Sequence, residues 1–307
     1  MDKSKTKPLI CEEYNCRGLN DNKGRGEAFH WLKTERKNAD LIILADTKCH
    51  RLEDKINWSK EWSNDENDSI WSLGEGGSRG VTILVTPKFR KRDAEIIDID
   101  VDSDGRYIKI IICIAGTLYR VLGLYAPNKK KQQIEFFIKL KEILNDNFDA
   151  ENIIGGDYNC TFNTLLDRIN CVSKNNDPGK KDLVNLMRTY DLEDIWRRRN
   201  PDKRQYTWFG SEGKASRLDY WLISASLNGQ VEHIDSHFSP FSDHHGTIIV
   251  LRTHEIKTGK GVWKMNFSQI SKPEYRDRFT EFWREWKLKK QDFFLTFLFG
   301  GTLEKQK

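Results

Sequence analysis

Cysteine is scarce and lacks any paired spacing. The six thiols (Cys11, Cys16, Cys49, Cys113, Cys160 and Cys171) include no C-x-x-C pair and are too few for a disulfide scaffold, so they read as reduced and mostly buried. No long hydrophobic run exists. The longest, residues 110–118, is about half of what a bilayer crossing requires, which excludes a membrane span. The basic N-terminus, Met1-Asp2-Lys3-Ser4-Lys5-Thr6-Lys7, carries no apolar stretch of the kind a secretory signal needs, so an intracellular location is expected. Neither an internal repeat nor a low-complexity tract is present, which argues against a solenoid. Charge of one sign barely prevails: 51 Lys and Arg against 46 Asp and Glu leave +5, which permits a polyanionic partner without demanding one.

What is present suits a globular enzyme or binding domain. With 37% hydrophobic and 32% charged residues and a mean hydropathy of −0.70, the chain of 307 residues folds and stays in water, and one large α/β core is affordable. Apolar runs typical of buried strands occupy residues 41–45 and 152–156, and strand patterns cover residues 9–15, 81–85, 95–101, 107–114 and 119–125. Further strands are expected at 206–209, 217–223, 231–238 and 247–251, with helices at 25–37, 132–145 and 180–190. Many strands and few helices predict an α/β fold of stacked sheets with outer helices. A composition shift at Lys257-Thr258-Gly259-Lys260-Gly261 predicts a main domain over residues 1–254, followed by a linker and an aromatic amphipathic tail over 255–307.

Polar residues gather where the strands end, which is where α/β folds present their chemistry. They are Asn15 in Tyr14-Asn15-Cys16-Arg17-Gly18-Leu19, Asp46, Tyr125 in Leu124-Tyr125-Ala126-Pro127-Asn128, Gly156-Asp157-Tyr158-Asn159, and Ser242-Asp243-His244. Asp219 sits inside the otherwise apolar strand Arg217-Leu218-Asp219-Tyr220, where an unpaired charge would cost several kcal/mol, so it needs a partner such as a metal or an imidazolium. Each taken alone has an ordinary explanation as a turn or cap residue. Their joint occurrence, in order and each tied to a strand, points to a single site.

This ordered set resembles the endonuclease/exonuclease/phosphatase superfamily. Gly80-Val81-Thr82-Ile83-Leu84, Asp194-Ile195-Trp196-Arg197-Arg198, Asn200-Pro201 and Tyr206-Thr207-Trp208 are similar to the apurinic-type endonuclease domain of LINE-type, non-LTR retrotransposons, and Val262-Trp263-Lys264-Met265-Asn266 to the segment that follows it. The resemblance implies a four-layer sandwich, two stacked mixed β-sheets flanked by helices. It also implies a Mg²⁺-dependent endonuclease, with Mn²⁺ as a possible substitute, that hydrolyses phosphodiester bonds and nicks duplex DNA.

Carried over by position, the resemblance gives Asp46 and Asn15 as metal ligands and Asp157 as the group that orients or deprotonates the attacking water, with Asn159 holding it in register. His244 would contact the phosphate, with Asp243 fixing its tautomer and raising its pKa; Tyr125 would present a hydroxyl, and Asp219 a supporting or metal carboxylate. Arg17, Thr207 and Ser242 would bind substrate. The pattern departs at Ala45-Asp46-Thr47, where the family usually carries Glu: the carboxylate is one methylene shorter, and Mg²⁺ tolerates little error around its 2.0–2.1 Å ligand distance.

Basic runs at Lys88-Phe89-Arg90-Lys91-Arg92, Lys129-Lys130-Lys131 and Trp196-Arg197-Arg198-Arg199 would face DNA only if they cluster on one side. Double-stranded DNA is the expected partner, no obligate protein partner is evident, and no reverse transcriptase segment follows in this chain. A ribonuclease or inositol phosphate phosphatase of the same superfamily, or a nucleic-acid-binding protein with a dead site, are the rival readings.

Overall fold

The computed structural model describes residues 7–171 and 177–253, together with residues 277, 278, 280, 281 and 284, which are helical. The chain divides into two units, Met1–Ile256 and Lys257–Lys307, and the fold described is that of the first. Apart from those five residues, the linker and aromatic tail expected beyond residue 254 lie outside the described residues.

The apolar runs become strands: β1 (Leu9–Asn15), β2 (Leu41–Ala45), β3 (Ser69–Ser72), β4 (Val81–Val85), β5 (Ala94–Val101), β6 (Tyr107–Ile114), β7 (Thr117–Tyr125) and β8 (Glu151–Asp157). They continue as β9 (Arg168–Ile169), β10 (Leu192–Asp194), β11 (Trp208–Phe209), β12 (Ala215–Ser216), β13 (Asp219–Ser224), β14 (Val231–His237) and β15 (Gly246–Leu251). The helices are α1 (Asn22–Glu35), α2 (Leu52–Trp62), α3 (Pro87–Arg90), α4 (Lys130–Leu144), α5 (Thr164–Asp167), α6 (Lys180–Thr189) and α7 (Ile195–Arg199).

Two six-stranded sheets have the orders β14-β15-β1-β2-β4-β3 and β10-β13-β8-β7-β6-β5, and a small third sheet has the order β11-β12-β9. Each large sheet is mixed, antiparallel except for one parallel pair at its centre, β1 with β2 and β7 with β8. The period of two along β2 shows how the layers form. Leu41 and Ile43 face Ile83, Val121, Ile153, Trp221 and Ile249 between the sheets, while Ile42 and Leu44 face outward onto Phe29, Leu32, Trp58 and Trp62 of α1 and α2. On the far side, Phe136, Phe137 and Leu140 of α4 and Leu183 and Leu186 of α6 cover Leu122, Ile154 and Leu222. The result is the expected four-layer α/β sandwich. Each such large apolar side chain, buried, contributes about 1.5–3 kcal/mol.

The sheets press closely where the site is built. A Cβ on Gly123 would sit 2.7 Å from Ile43 Cγ2, so only glycine lets β7 approach β2 here. In helix α2 the two Trp, Trp58 and Trp62, four residues apart, are buried while most of its other residues stay in water. None of the described helices is long and apolar enough to cross a membrane.

Candidate active site

A parallel pair brings the C-terminal ends of two strands to the same edge of its sheet, and each large sheet has one such pair. Asn15 therefore lies in register with Ala45, the residue before Asp46, and Tyr125 lies in register with Asp157. On the other side of β8, Asp157 pairs with Asp219 at the start of β13. These ends open into a pocket of about 370 Å³ lined by Asn15, Arg17, Asp46, Tyr125, Asp157, Asn159 and His244, among others.

The strands do not simply stop there. Arg17, Asp46 and Asn159 adopt left-handed backbone angles (φ 52°, 51° and 47°), a conformation that costs non-glycine residues energy and turns the chain sharply after each strand. The turn after β2 is tied to the one before β4: Thr47 N–H donates to Gly80 O (3.0 Å), and a Cβ on Gly80 (φ +100°) would lie 2.4 Å from Thr47 Oγ1. This explains the glycine that opens Gly80-Val81-Thr82-Ile83-Leu84.

Asp157 is the most constrained group. Its Oδ2 accepts from Asn15 Nδ2 (2.9 Å) and Asn159 Nδ2 (3.3 Å), and its Oδ1 accepts from Asn159 N–H (2.8 Å). Asn159 Nδ2 also donates to Ala126 O at 2.9 Å, linking the two strand ends. Burial, reinforced by the nearby Asp219 charge, pushes the Asp157 carboxyl up to about 7, against the pull of His244 and these hydrogen bonds.

His244 sits beside it. Its Nδ1 lies 2.9 Å from Asp219 Oδ2, and both side chains are buried. Burial opposes the charged ring, but the Asp219 carboxylate outweighs it and raises His244 to about 9. The partner that a carboxylate inside an apolar strand requires is this imidazolium. Tyr125 is pushed up by burial and then by the charges of Asp46 and Asp157, so its hydroxyl keeps its proton.

Two donor sets suit a divalent cation. Asp46 offers a carboxylate whose nearest cationic group is Lys48 Nζ at 3.9 Å, and burial raises its pKa. Asn15 adds an amide oxygen that already accepts from Arg17 N–H at 3.0 Å and has a second lone pair. Hard oxygen donors at the edge of an open pocket fit Mg²⁺. In the second set, ligand atoms of Asp157, Asp219 and His244 lie within 4.8 Å of one another, but a cation there would have to displace the proton between His244 and Asp219.

Three of the expected site roles change. Asp243 does not hold the imidazole, although its charge helps to raise the ring's pKa; its Oδ2 accepts from Arg17 Nη1 (2.9 Å) and Trp208 Nε1 (3.1 Å), because the bend before His244 turns it toward those two residues. Thr207 does not line the pocket: its buried Oγ1 accepts from the N–H groups of Leu218 (2.9 Å) and Asp219 (3.0 Å), fixing the start of β13. Ser242 Oγ accepts from His244 N–H (3.1 Å), a turn contact, and is also absent from the lining.

Four lining residues escaped the sequence reading: Arg168, Trp208, Ser216 and Leu218. Ser216 and Leu218 carry a faint signal, standing three and one residues before the buried Asp219. Arg168 has none, since its strand is two residues long and it is held by Asp177 at 2.8 Å. Arg106, also missed, lies 5.4 Å above the Tyr125 ring. The basic runs at 88–92 and 196–199 are largely spent on structure: Lys88 and Arg92 pair with Asp40, Arg90 with Asp68, Arg197 with Asp167 and Arg198 with Glu193. Lys129, Lys130 and Lys131 remain exposed just beyond the strand end of Tyr125.

No family model matches the chain. It is 25% identical over 246 residues to the Transposon TX1 uncharacterized 149 kDa protein of Xenopus laevis, covering 78% of this chain and only 18% of the length of that relative. Among solved structures it is similar to the AP endonuclease LMAP from Leishmania major (TM-score 0.67, 16% identity, 80% of this chain and 88% of that one). An AP endonuclease from Archaeoglobus fulgidus (TM-score 0.59, 17% identity) and the 3′-5′ exonuclease NExo from Neisseria meningitidis (TM-score 0.57, 18% identity) are each matched along their whole length by 80% of this chain. The chain thus shares the fold of these nucleases and is similar in sequence to a transposon protein, of whose length it spans about a fifth.

Proposed function

We propose that the protein is a metal-dependent endonuclease that acts inside the cell and hydrolyses phosphodiester bonds, nicking one strand of duplex DNA. The observation that carries this reading is the adjacency, in one pocket, of a buried carboxylate held by two asparagines and an imidazolium held by a buried carboxylate. The fold shared with nucleases and the similarity to a transposon protein support DNA as the substrate.

Asp46 and Asn15 would hold Mg²⁺, or Mn²⁺ in its place, which when bound supplies electrophilic stabilisation of charge on the phosphate. Asp157, as its carboxylate, accepts a proton from the attacking water, and Asn15 and Asn159 keep it from rotating. The water oxygen bonds to phosphorus, one ester P–O bond breaks, and the departing oxygen takes a proton. His244 has its Nδ1 engaged by Asp219, so Nε2–H is the donor left for the phosphate oxygen, where negative charge grows. The Tyr125 hydroxyl and the Arg17 guanidinium at the rim add donors for the same charge.

The reading is tested on supercoiled plasmid with Mg²⁺. Nicked, relaxed circles that vanish with EDTA support it. Equal nicking in excess EDTA, or hydrolysis of RNA or inositol phosphates with DNA left intact, counts against it. DNA binding without any cleavage favours the dead-site alternative.

A further inference from the structure

The small sheet at the rim of the pocket has two faces of opposite character, and its register sets them. Arg168 pairs with Ser216, and Ser216 with Trp208; all three line the pocket. The alternate residues Ile169, Ala215 and Phe209 pair in the same order and point to the other face. A bridge between Trp208 and His244 extends the same ribbon, so His244 falls on the pocket face and His245 behind it, beside Phe209. The Phe209 and His245 ring centroids are 4.5 Å apart, and Phe238 meets His245 edge-on at 6.1 Å. Phe209 is 41% exposed and Phe238 68% exposed. A Cβ on Gly210 would lie 2.5 Å from Trp208 Cη2, so the absence of a side chain there lets the indole fold against the hairpin on the pocket side.

Two exposed phenylalanines around a histidine give up burial that the fold offers elsewhere. They carry no charge to engage phosphate; Phe209 stands on the reverse of the strand that lines the catalytic pocket, and Phe238, just past the end of β14, meets it across His245. A nucleobase is the ligand with a matching flat apolar face, and stacking on it tolerates any sequence.

We propose that Phe209, His245 and Phe238 form an aromatic platform that stacks on a base next to the scissile phosphate, with the β11–β12 ribbon acting as a wedge between that nucleotide and the one in the pocket. This rests on the reading of the substrate as DNA. The ribbon then fixes the strand from both sides, since its pocket face and its platform are joined by the backbone of Trp208 and Phe209.

The test measures duplex binding in EDTA by the full chain, with 2-aminopurine placed in turn at each base flanking the nick. The Phe209→Ala, Phe238→Ala double variant should bind the duplex about tenfold more weakly, because base–aromatic stacking is lost. It should also lose the fluorescence change that the wild type produces, whereas Phe209→Trp keeps both. Hydrolysis of bis(4-nitrophenyl) phosphate and the melting temperature should be unchanged. Wild-type binding and fluorescence in the double variant overturn the platform and leave the nuclease reading untouched, as does an altered oligomeric state with normal DNA binding. A wild type that binds with aromatic dependence yet never nicks keeps the platform and removes the nuclease. A wild type that binds no DNA removes both.

Discussion

His244 Nδ1 lies 2.9 Å from Asp219 Oδ2 inside the wall of the pocket, and this contact makes the ring a cation at neutral pH. The folded state favours the protonated ring, so this contribution to stability is complete below the ordinary histidine value of about 6.5 and is lost as pH rises through about 9. Nicking should fall over the same alkaline range. It should rise through about 7 as Asp157, raised chiefly by burial, becomes a carboxylate. Asp219→Asn should pull the alkaline limit down toward the ordinary histidine value and slow nicking about 10²-fold. A pH–rate profile with an unmoved alkaline limb in Asp219→Asn would break the link between these two residues.

Thr207 fixes the start of β13 from a buried position. Thr207→Val keeps the shape but strands two buried N–H groups, those of Leu218 and Asp219. Each unsatisfied buried donor costs about 1–3 kcal/mol, so urea denaturation should show a loss of about 2 kcal/mol or more. Unchanged stability would return the hydroxyl to a substrate role.

On the proposed reading, Asp46 is the carboxylate of the metal site. Asp46→Ala should shift the Mg²⁺ titration of nicking well beyond millimolar concentrations, since a site with few protein oxygens loses one of them. Asp46→Glu should retain nicking, less whatever an extra methylene costs in a pocket fitted to Asp, about 1–3 kcal/mol where packing is tight. An unchanged Mg²⁺ curve for Asp46→Ala would move the cation to another set, of which Asp157, Asp219 and His244 are the evident members.

We propose that the nuclease domain is residues 1–254, and it should fold and nick when the chain is cut there. The cut keeps Thr253, whose Oγ1 donates to Lys7 O at 3.1 Å and closes the N-terminal edge. Circular dichroism melting and plasmid nicking of the truncated protein check this. An insoluble or inactive product would show that the segment beyond completes the core.

The layers and the strand-end residues were legible because burial on both faces demands apolar runs, and a polar residue ending such a run stands out. Asp157 ends β8 and Asn159 follows it in that way, and Asp219 announced its need for a partner by lying inside an apolar strand. The partner's identity was not legible. Asp243 is adjacent to His244 in sequence and Asp219 is 25 residues away, yet the bend before His244 turns Asp243 toward Arg17 and Trp208 and β13 brings the distant residue close. The basic runs stayed undecided for a related reason: a count of charges does not reveal that Asp40, Asp68 and Asp167 lie within reach of them. Strands as short as β9 and β12 carry too few residues for periodicity to register, so Arg168 entered the pocket unannounced and Ser216 with only its nearness to Asp219 to mark it.

The central claim is that the buried Asp157 carboxylate accepts the proton of the attacking water. The single-turnover nicking rate of Asp157→Asn on a defined duplex at saturating Mg²⁺, compared with the wild type, tests it most directly. Asn keeps the shape, but its Nδ2 cannot accept, so the donors from Asn15 and Asn159 are met on one side only; stability should fall by about 1–3 kcal/mol while the rate falls by about 10²–10⁴-fold. A folded Asp157→Asn protein that nicks within a few-fold of the wild type would contradict the account.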